Sequence, residues 1–264
     1  MTYRATPADG FAWVTGASSG IGRAVALELA GRGFRVVATA RDEERLAAVV
    51  AAAAGLPGAM VSRPCDVTER DAMVALHAAI EREQGPVALA ILNAGGVFAD
   101  EPASLGGQGT RRTLALNLDG TLNAFEPAAR AMSTRGRGQI AIVASLAGYR
   151  GFGGDAAYGA SKAALNALAE SWRRTLARRG VTLQVVNPGF VRTPLTVGVR
   201  MPKALFLDVD DAARRICDGL ARGGFEVAFP RRLVWPARLL RALPPNAFVA
   251  FKDWIAARRR GGRR

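Results

Sequence analysis

The stretch Val14-Thr15-Gly16-Ala17-Ser18-Ser19-Gly20-Ile21-Gly22 constrains this chain more than any other. It follows a short apolar run, Phe11 to Val14, that reads as a buried strand. It opens a segment, Ile21 to Ala30, with apolar residues at 21, 25 and 29, the spacing of one helix face. A glycine-rich turn between a strand and a helix suits a phosphate. Glycine lets the backbone turn tightly and approach a pyrophosphate, while the free amides and dipole of the helix N-terminus favour its charge. The glycines fall at 16, 20 and 22, so the spacing is G-x3-G-x-G and not the general G-x-G-x-x-G. Gly16 to Gly20 also matches G-x-S-x-G, the nucleophile elbow of serine hydrolases. That mechanism needs a histidine base. The single histidine, His77, lies inside the helical stretch Glu69 to Gln84 and none follows it. The nucleotide reading leads.

Further strands are expected at Arg35–Ala40, Ala59–Ser62, Val87–Leu92, Gln139–Ala144, Thr182–Val186 and Phe225–Phe229. Helical stretches lie between them, at 42–54, 69–84, 110–135, 158–179 and 210–222. Val87 to Leu92 is an unbroken apolar run, as expected where both faces of a parallel sheet are covered. The alternation predicts an α/β fold with a doubly wound parallel sheet of about seven strands in a single domain. At 264 residues the chain has the length for it. Ligands of such a sheet sit beyond the carboxyl ends of the strands, and the Gly turn, Arg41, Asp66, Asn93 and Ser145 all fall there. Cys65 and Cys217 are far apart and read as small core residues of a reducing compartment. The polar first ten residues and the lack of a long apolar run predict a cytoplasmic protein.

Tyr158-Gly-Ala-Ser-Lys162 places a phenol and an ammonium one helical turn apart on the same face. A nearby cation stabilises phenolate and brings the tyrosine pKa down towards working pH, as a general acid/base requires. Ser145, at a strand end, is positioned to hydrogen-bond a substrate carbonyl. A lone Tyr-x-x-x-Lys usually does no more than solvate a helix. Here it stands in order with Thr15-Gly-x3-Gly-Ile-Gly22, Asn93-Ala94-Gly95, Asn117, Ser145 and Pro188-Gly189.

That set resembles the short-chain dehydrogenase/reductase family over roughly residues 10 to 230. The resemblance implies a Rossmann-type oxidoreductase that uses a nicotinamide cofactor and no metal. It makes Tyr158 the proton donor or acceptor and Ser145 the residue that orients the carbonyl. Lys162 would bind the nicotinamide ribose and lower the tyrosine pKa, and Asn117 would hold a water of the proton relay. Pro188, Gly189, Val191 and Thr193 match the segment along the nicotinamide. Asp66, Val67, Asn93, Ala94 and Gly95 match positions that support the sheet and the adenine, and Gly16, Ser18, Ser19, Gly20, Ile21 and Gly22 form the pyrophosphate turn. Two small departures, Leu92 and Ala144 where the family often has Asn and Ser, leave the chemistry intact.

An acid at the end of the second strand would bind the ribose hydroxyls of NAD and repel a 2′-phosphate. Here that position is Ala40, and Arg41 follows it. A guanidinium suits a phosphate, with Ser18 and Thr39 as hydroxyl donors, so NADP is expected over NAD. Residues 1–230 read as the catalytic domain. Its substrate lid, 190–208, carries Leu195, Val197, Val199, Met201, Leu205, Phe206 and Leu207, with Arg200 and Lys203 between them. An apolar lid predicts a lipophilic carbonyl or alcohol. Gly151, Gly153 and Gly154 leave an open rim before Tyr158.

Residues 231–264 read as a basic amphipathic extension, with ten Lys or Arg against one acid, Asp253. Trp235, Leu239, Leu240 and Leu243 form one apolar stripe, Pro244-Pro245 interrupts it, and Phe248, Phe251 and Ile255 form another. Such a segment fits an anionic membrane surface or a neighbouring subunit of a homo-oligomer, dimer or tetramer. The terminal arginines, 258–264, lack the aromatic interleaving of a nucleic-acid site, and no nucleic acid is expected.

Overall fold

A computed structural model describes residues 3–100, 105–151, 155–199 and 201–261, without the side chains of 255–257 and 259–261. Gly153, Gly154, Arg200, the Ile255 side chain and most of the terminal arginines therefore lie outside the described residues. The strands are β1 (Phe11–Thr15), β2 (Arg35–Thr39), β3 (Ala59–Ser62), β4 (Val87–Leu92), β5 (Gly138–Val143), β6 (Val181–Pro188) and β7 (Glu226–Phe229). They form one sheet in the order β3-β2-β1-β4-β5-β6-β7, and every pairing is parallel. The direction of winding reverses between β1 and β4, which opens a crevice at the carboxyl ends of those strands.

Helices α1 (Gly20–Gly31), α2 (Glu43–Ala52) and α3 (Arg70–Glu83) separate the first four strands. After β4 come α4 (Gln108–Leu114), α5 (Gly120–Arg135), α6 (Ala156–Ala177), α7 (Val209–Arg222), α8 (Arg231–Ala242) and α9 (Pro245–Gly261). Each strand alternates its side chains between two cores. Ala12, Val14, Leu89 and Ile91 pack with Val25, Leu29, Ile216 and Leu220, residues of α1 and α7. Phe11, Trp13, Ala90 and Leu92 pack with Met73, Ile80, Met132 and Leu165, residues of α3, α5 and α6. Both faces are dry, which is why the central strands read as continuous apolar runs.

One expected helix is interrupted. The stretch 110–135 divides at a π-helical segment, Ala115–Asp119, that separates α4 from α5. The wider turn carries Asn117 inward, where its side chain holds the backbone of Gly96. Among the described residues no helix is long and apolar enough to cross a membrane.

The extension is docked on the body. Val234 and Ala237 of α8 pack with Leu146 and Tyr149. The inner face of α8 is therefore Val234 and Ala237, while Trp235 and Leu239, expected in one stripe with Leu240, are 61% and 70% exposed. Phe248 of α9 is buried beneath the Arg150 guanidinium, 4.8 Å from its ring centre.

Candidate active site

The cleft at the switch point has a volume of about 520 Å³. Its floor is the turn between β1 and α1, where Gly16 and Gly20 have φ values of 67° and 53° that only glycine adopts without strain. A Cβ on Gly16 would lie 2.7 Å from the Ala94 Cα, and one on Gly22 would lie 2.2 Å from the Gly16 carbonyl oxygen. Gly22 is buried and does not line the cleft; it lets α1 close on the turn. The turn is fixed from the next strand. Asn93 donates its side-chain amide to the carbonyls of Thr15 and Gly16 at 3.2 and 3.3 Å, and its backbone N–H reaches Thr15 Oγ at 3.0 Å. Ser19 caps α1 in an extended conformation without a side-chain hydrogen bond to the helix, and it lines the cleft.

Ser145 ends β5 and caps the turn Leu146–Gly148, accepting a bond from the Ala147 N–H at 3.1 Å. Its hydroxyl donates to the Pro188 carbonyl at 3.4 Å. Tyr158 lies in the first turn of α6, which Asp155 caps by accepting the Tyr158 N–H at 2.9 Å. Burial raises the Tyr158 pKa, and the neighbouring Ser145 hydroxyl, which favours the phenolate, offsets only part of that rise. Lys162 sits one turn on, 3% exposed, with Nζ 5.7 Å from the Tyr158 ring centre. It donates to the Val143 carbonyl at 2.8 Å, and desolvation pulls its pKa down to about 8. The phenol lowering expected from Lys162 is thus absent from the protein's own groups. A desolvated lysine already committed to a carbonyl does not offset the burial of the ring.

Asn117 is fully buried and reaches the site indirectly. Its Oδ1 accepts from the Gly96 N–H at 2.7 Å, and its Nδ2 donates to the Gly96 carbonyl and to Ser161 Oγ, each at 3.0 Å. Both amide hydrogens are committed. A bound water would find only the second lone pair of Oδ1 or the main-chain carbonyl, which also accepts from Thr121 at 2.7 Å.

Ser18, Ser19, Gly20, Ile21, Arg41, Asp66, Val67, Asn93, Ala94, Gly95, Pro188, Gly189, Val191 and Thr193 all line the cleft with Gly16, Ser145, Tyr158 and Lys162. Thr39 does not. It is fully buried outside the cleft, where its hydroxyl accepts the Trp13 indole N–H at 3.0 Å, so it does not reach a ligand. Arg41 stands at the mouth, 65% exposed, with a long contact of 3.5 Å to Asp66. Burial raises the Asp66 pKa, but hydrogen bonds from Thr68 and the nearby Arg41 cation outweigh it and keep the carboxylate ionised. Sequence reasoning missed Arg45, which also lines the mouth. Its place was readable, since it sits in the first turn of α2 three residues after the cap Asp42. Val97, Phe98 and Leu116 complete the apolar wall from a loop and a π turn with no periodicity to read. His77 packs edge-on against Trp13 in the core, with ring centres 5.4 Å apart, which removes the serine-hydrolase reading.

The segment expected to form the lid is pinned at its neck. The Leu207 N–H donates to the Phe190 carbonyl and the Arg192 N–H to the Leu207 carbonyl, both at 2.9 Å. Leu195, Val197 and Val199 project from the loop, with Val197 82% exposed, whereas Met201, Leu205, Phe206 and Leu207 are half-buried.

The doubly wound sheet, the glycine turn at its switch point and the Ser–Tyr–Lys cluster facing it define a Rossmann-type oxidoreductase. The short chain dehydrogenase profile matches residues 11–203, and the chain belongs to that family, whose enzymes act on CH–OH and C=O groups. An oxidoreductase of Myxococcus xanthus without assigned substrate is 38% identical over 252 residues, 95% of this chain and 96% of that one. A 3beta-hydroxysteroid dehydrogenase of Mediterraneibacter gnavus is 40% identical over 184 residues, covering 69% of this chain and 66% of that one. The crystal structure of a short-chain dehydrogenase/reductase from Burkholderia phymatum in complex with NAD superposes with a TM-score of 0.78. That pair is 25% identical, over 87% of this chain and 92% of the other.

Proposed function

We propose that the protein is an NADP-dependent oxidoreductase that interconverts a hydroxyl and a carbonyl on a fairly lipophilic small molecule, with Tyr158 as general acid/base. The observation that carries this reading is the contact of the Tyr158 and Ser145 hydroxyls, with Lys162 beneath them, at the inner end of the cleft. A nicotinamide dinucleotide fits the residues present. The Gly16–Gly22 turn has no room for a Cβ at two of its glycines, and its helix N-terminus faces the cleft, as a pyrophosphate needs. Bound there, the cofactor supplies or accepts the hydride. Ser145 holds the substrate oxygen, Tyr158 transfers the proton at that oxygen, and Lys162 holds the ribose.

Preference for the 2′-phosphate rests on charge. Ala40 leaves the strand-end position without an acid, and Arg41 and Arg45 bring two guanidinium groups to the mouth, beside Asp66 and Asp42. The exposed apolar lid supports a lipophilic substrate. A binding protein that had lost catalysis is disfavoured, because a pure binder needs no tyrosine one turn from the lysine and facing Ser145 in the cleft. As a further part of this reading, residues 1–230 carry the chemistry in a cytoplasmic homo-oligomer. Residues 231–264 touch anionic membrane, with Trp235 and Leu239 exposed beside Arg231 and Arg232.

A screen of NADPH and NADH oxidation against aldehydes and ketones of graded chain length tests the reading. Turnover should rise with chain length and favour NADPH. Equal or better use of NADH would overturn the phosphate argument, and a flat response to chain length the lipophilic one.

A further inference from the structure

A partly buried polar network lies behind the catalytic cluster, and its centre is Glu226 at the start of β7. The Tyr149 hydroxyl donates to Glu226 Oε1, and so does Asn187 Nδ2 at 2.7 Å. Arg238 of α8 donates to Glu226 Oε2 at 2.5 Å. Burial raises the Glu226 pKa, but these three donors outweigh it and hold the carboxylate ionised. The Tyr149 phenol is pushed up by burial and by that carboxylate, and so stays a donor.

Two branches run from Glu226 to the cluster. Tyr149 closes the short turn that Ser145 caps, so the first branch ends at the segment carrying the carbonyl-orienting hydroxyl. The second passes from Asn187 to Asn166, whose Oδ1 accepts from Asn187 at 2.9 Å and whose Nδ2 donates to the Lys162 carbonyl at 3.0 Å. Asn187 also precedes Pro188, the acceptor of the Ser145 hydroxyl. Arg238 brings the extension into the same network. The end of α8 and α9 add a second hold on the rim, where Arg150 donates to the Leu243 carbonyl at 3.0 Å and Lys252 of α9 to the Gly151 carbonyl at 3.2 Å.

We propose that Glu226 is a positioning residue, and that Arg238 couples the C-terminal helices through it to the geometry of Ser145 and Lys162. The inference rests on the catalytic reading of Ser145, Tyr158 and Lys162. None of the network's side chains beyond those three need touch substrate. Removing Arg238 leaves a half-buried carboxylate with two neutral donors only, and removing the Tyr149 hydroxyl frees the Ser145 turn from β7. The effect belongs mainly in kcat, because the network touches only the backbone of Lys162 and the residue before Pro188, while the glycine turn that would hold the pyrophosphate has no part in it.

The test uses the full-length protein with NADPH and decanal, or the fastest aldehyde of the graded series, and the variants Tyr149→Phe, Arg238→Met, Arg238→Lys and Tyr158→Phe. Tyr149→Phe and Arg238→Met should each lower kcat about ten- to hundredfold, the scale of a misplacement near 1 Å, with the NADPH Kd and the KM nearly unchanged. Arg238→Lys, which keeps a cation, should recover most of the loss. Wild-type kcat in Tyr149→Phe and Arg238→Met, beside an inactive Tyr158→Phe, would overturn the positioning role alone. Losses in NADPH affinity and Tm parallel to the loss in kcat would also overturn it, as a merely structural effect. An active Tyr158→Phe would bring down the catalytic reading and this inference with it.

Discussion

Lys162 is the residue whose environment makes the firmest pH prediction. Its pKa of about 8 in the folded protein lies below the ~10.4 of an unfolded chain. Below pH ~8 both states carry the proton and the burial penalty is constant. Between the two values the unfolded chain binds the proton and the folded one does not, so stability rises with pH. Relative to Lys162→Met, the wild type should gain roughly 2–3 kcal/mol between pH 7.5 and pH 10 in urea unfolding, where titrations common to both cancel. A difference flat across that range would show that Lys162 is not buried as a cation. Arg41 makes the second. Arg41→Ala should weaken NADPH by about 1.5 kcal/mol, the low end for a hydrogen bond to a charged group, and leave NADH nearly untouched. The side chain is largely exposed and leans on Asp66, which argues for the low end. Titrating both nucleotides against both proteins decides it, and equal losses would contradict the phosphate role. Thr39 was assigned wrongly because the sequence does not record which way a side chain turns at a strand end, and Arg45 was passed over although its place after the cap Asp42 was readable.

Helix α1 offers an internal comparison between two of its own glycines. A Cβ at Gly22 would strike the Gly16 carbonyl at 2.2 Å, whereas a Cβ at Gly31 would meet nothing within 4 Å. Gly22→Ala should destabilise by about 1–3 kcal/mol through overpacking. Gly31→Ala should stabilise by about 0.4–1 kcal/mol by restricting the unfolded chain. Denaturation midpoints that move in the same direction for both would contradict the role given to Gly22. At this scale the sequence was most legible where burial is two-sided, as in β4, whose six apolar residues admit no other reading. It was least legible at the π segment, because the force that widens the turn is the bond from Asn117 to Gly96, a partner 21 residues away. It also missed which face of α8 packs. Both faces carry apolar residues, and only the position of Leu146 and Tyr149 selects Val234 and Ala237.

The whole molecule carries a formal charge of +14, most of it in the extension. Several of the extension's cations are used internally: Arg238 on Glu226, Arg241 on Glu170 at 3.5 Å, Lys252 on Gly151 and Arg258 over Trp254. A membrane contact would therefore lean on Trp235, Leu239, Arg231 and Arg232. The full-length protein should co-sediment with anionic but not zwitterionic vesicles, and release as salt screens the charge. Indifference to both, with truncation after Pro230 lowering the oligomeric mass, would make the extension a subunit contact instead. The cleft, by contrast, was largely readable in advance, because strand ends, glycine spacing and the Tyr–Lys turn are local in sequence. The central claim is that Tyr158 moves the proton during hydride transfer, and comparing wild type with Tyr158→Phe on NADPH and the best aldehyde tests it most directly. The account predicts a kcat lower by about two to four orders of magnitude, the scale of a lost general acid/base, with NADPH affinity intact. Turnover near that of the wild type would contradict it.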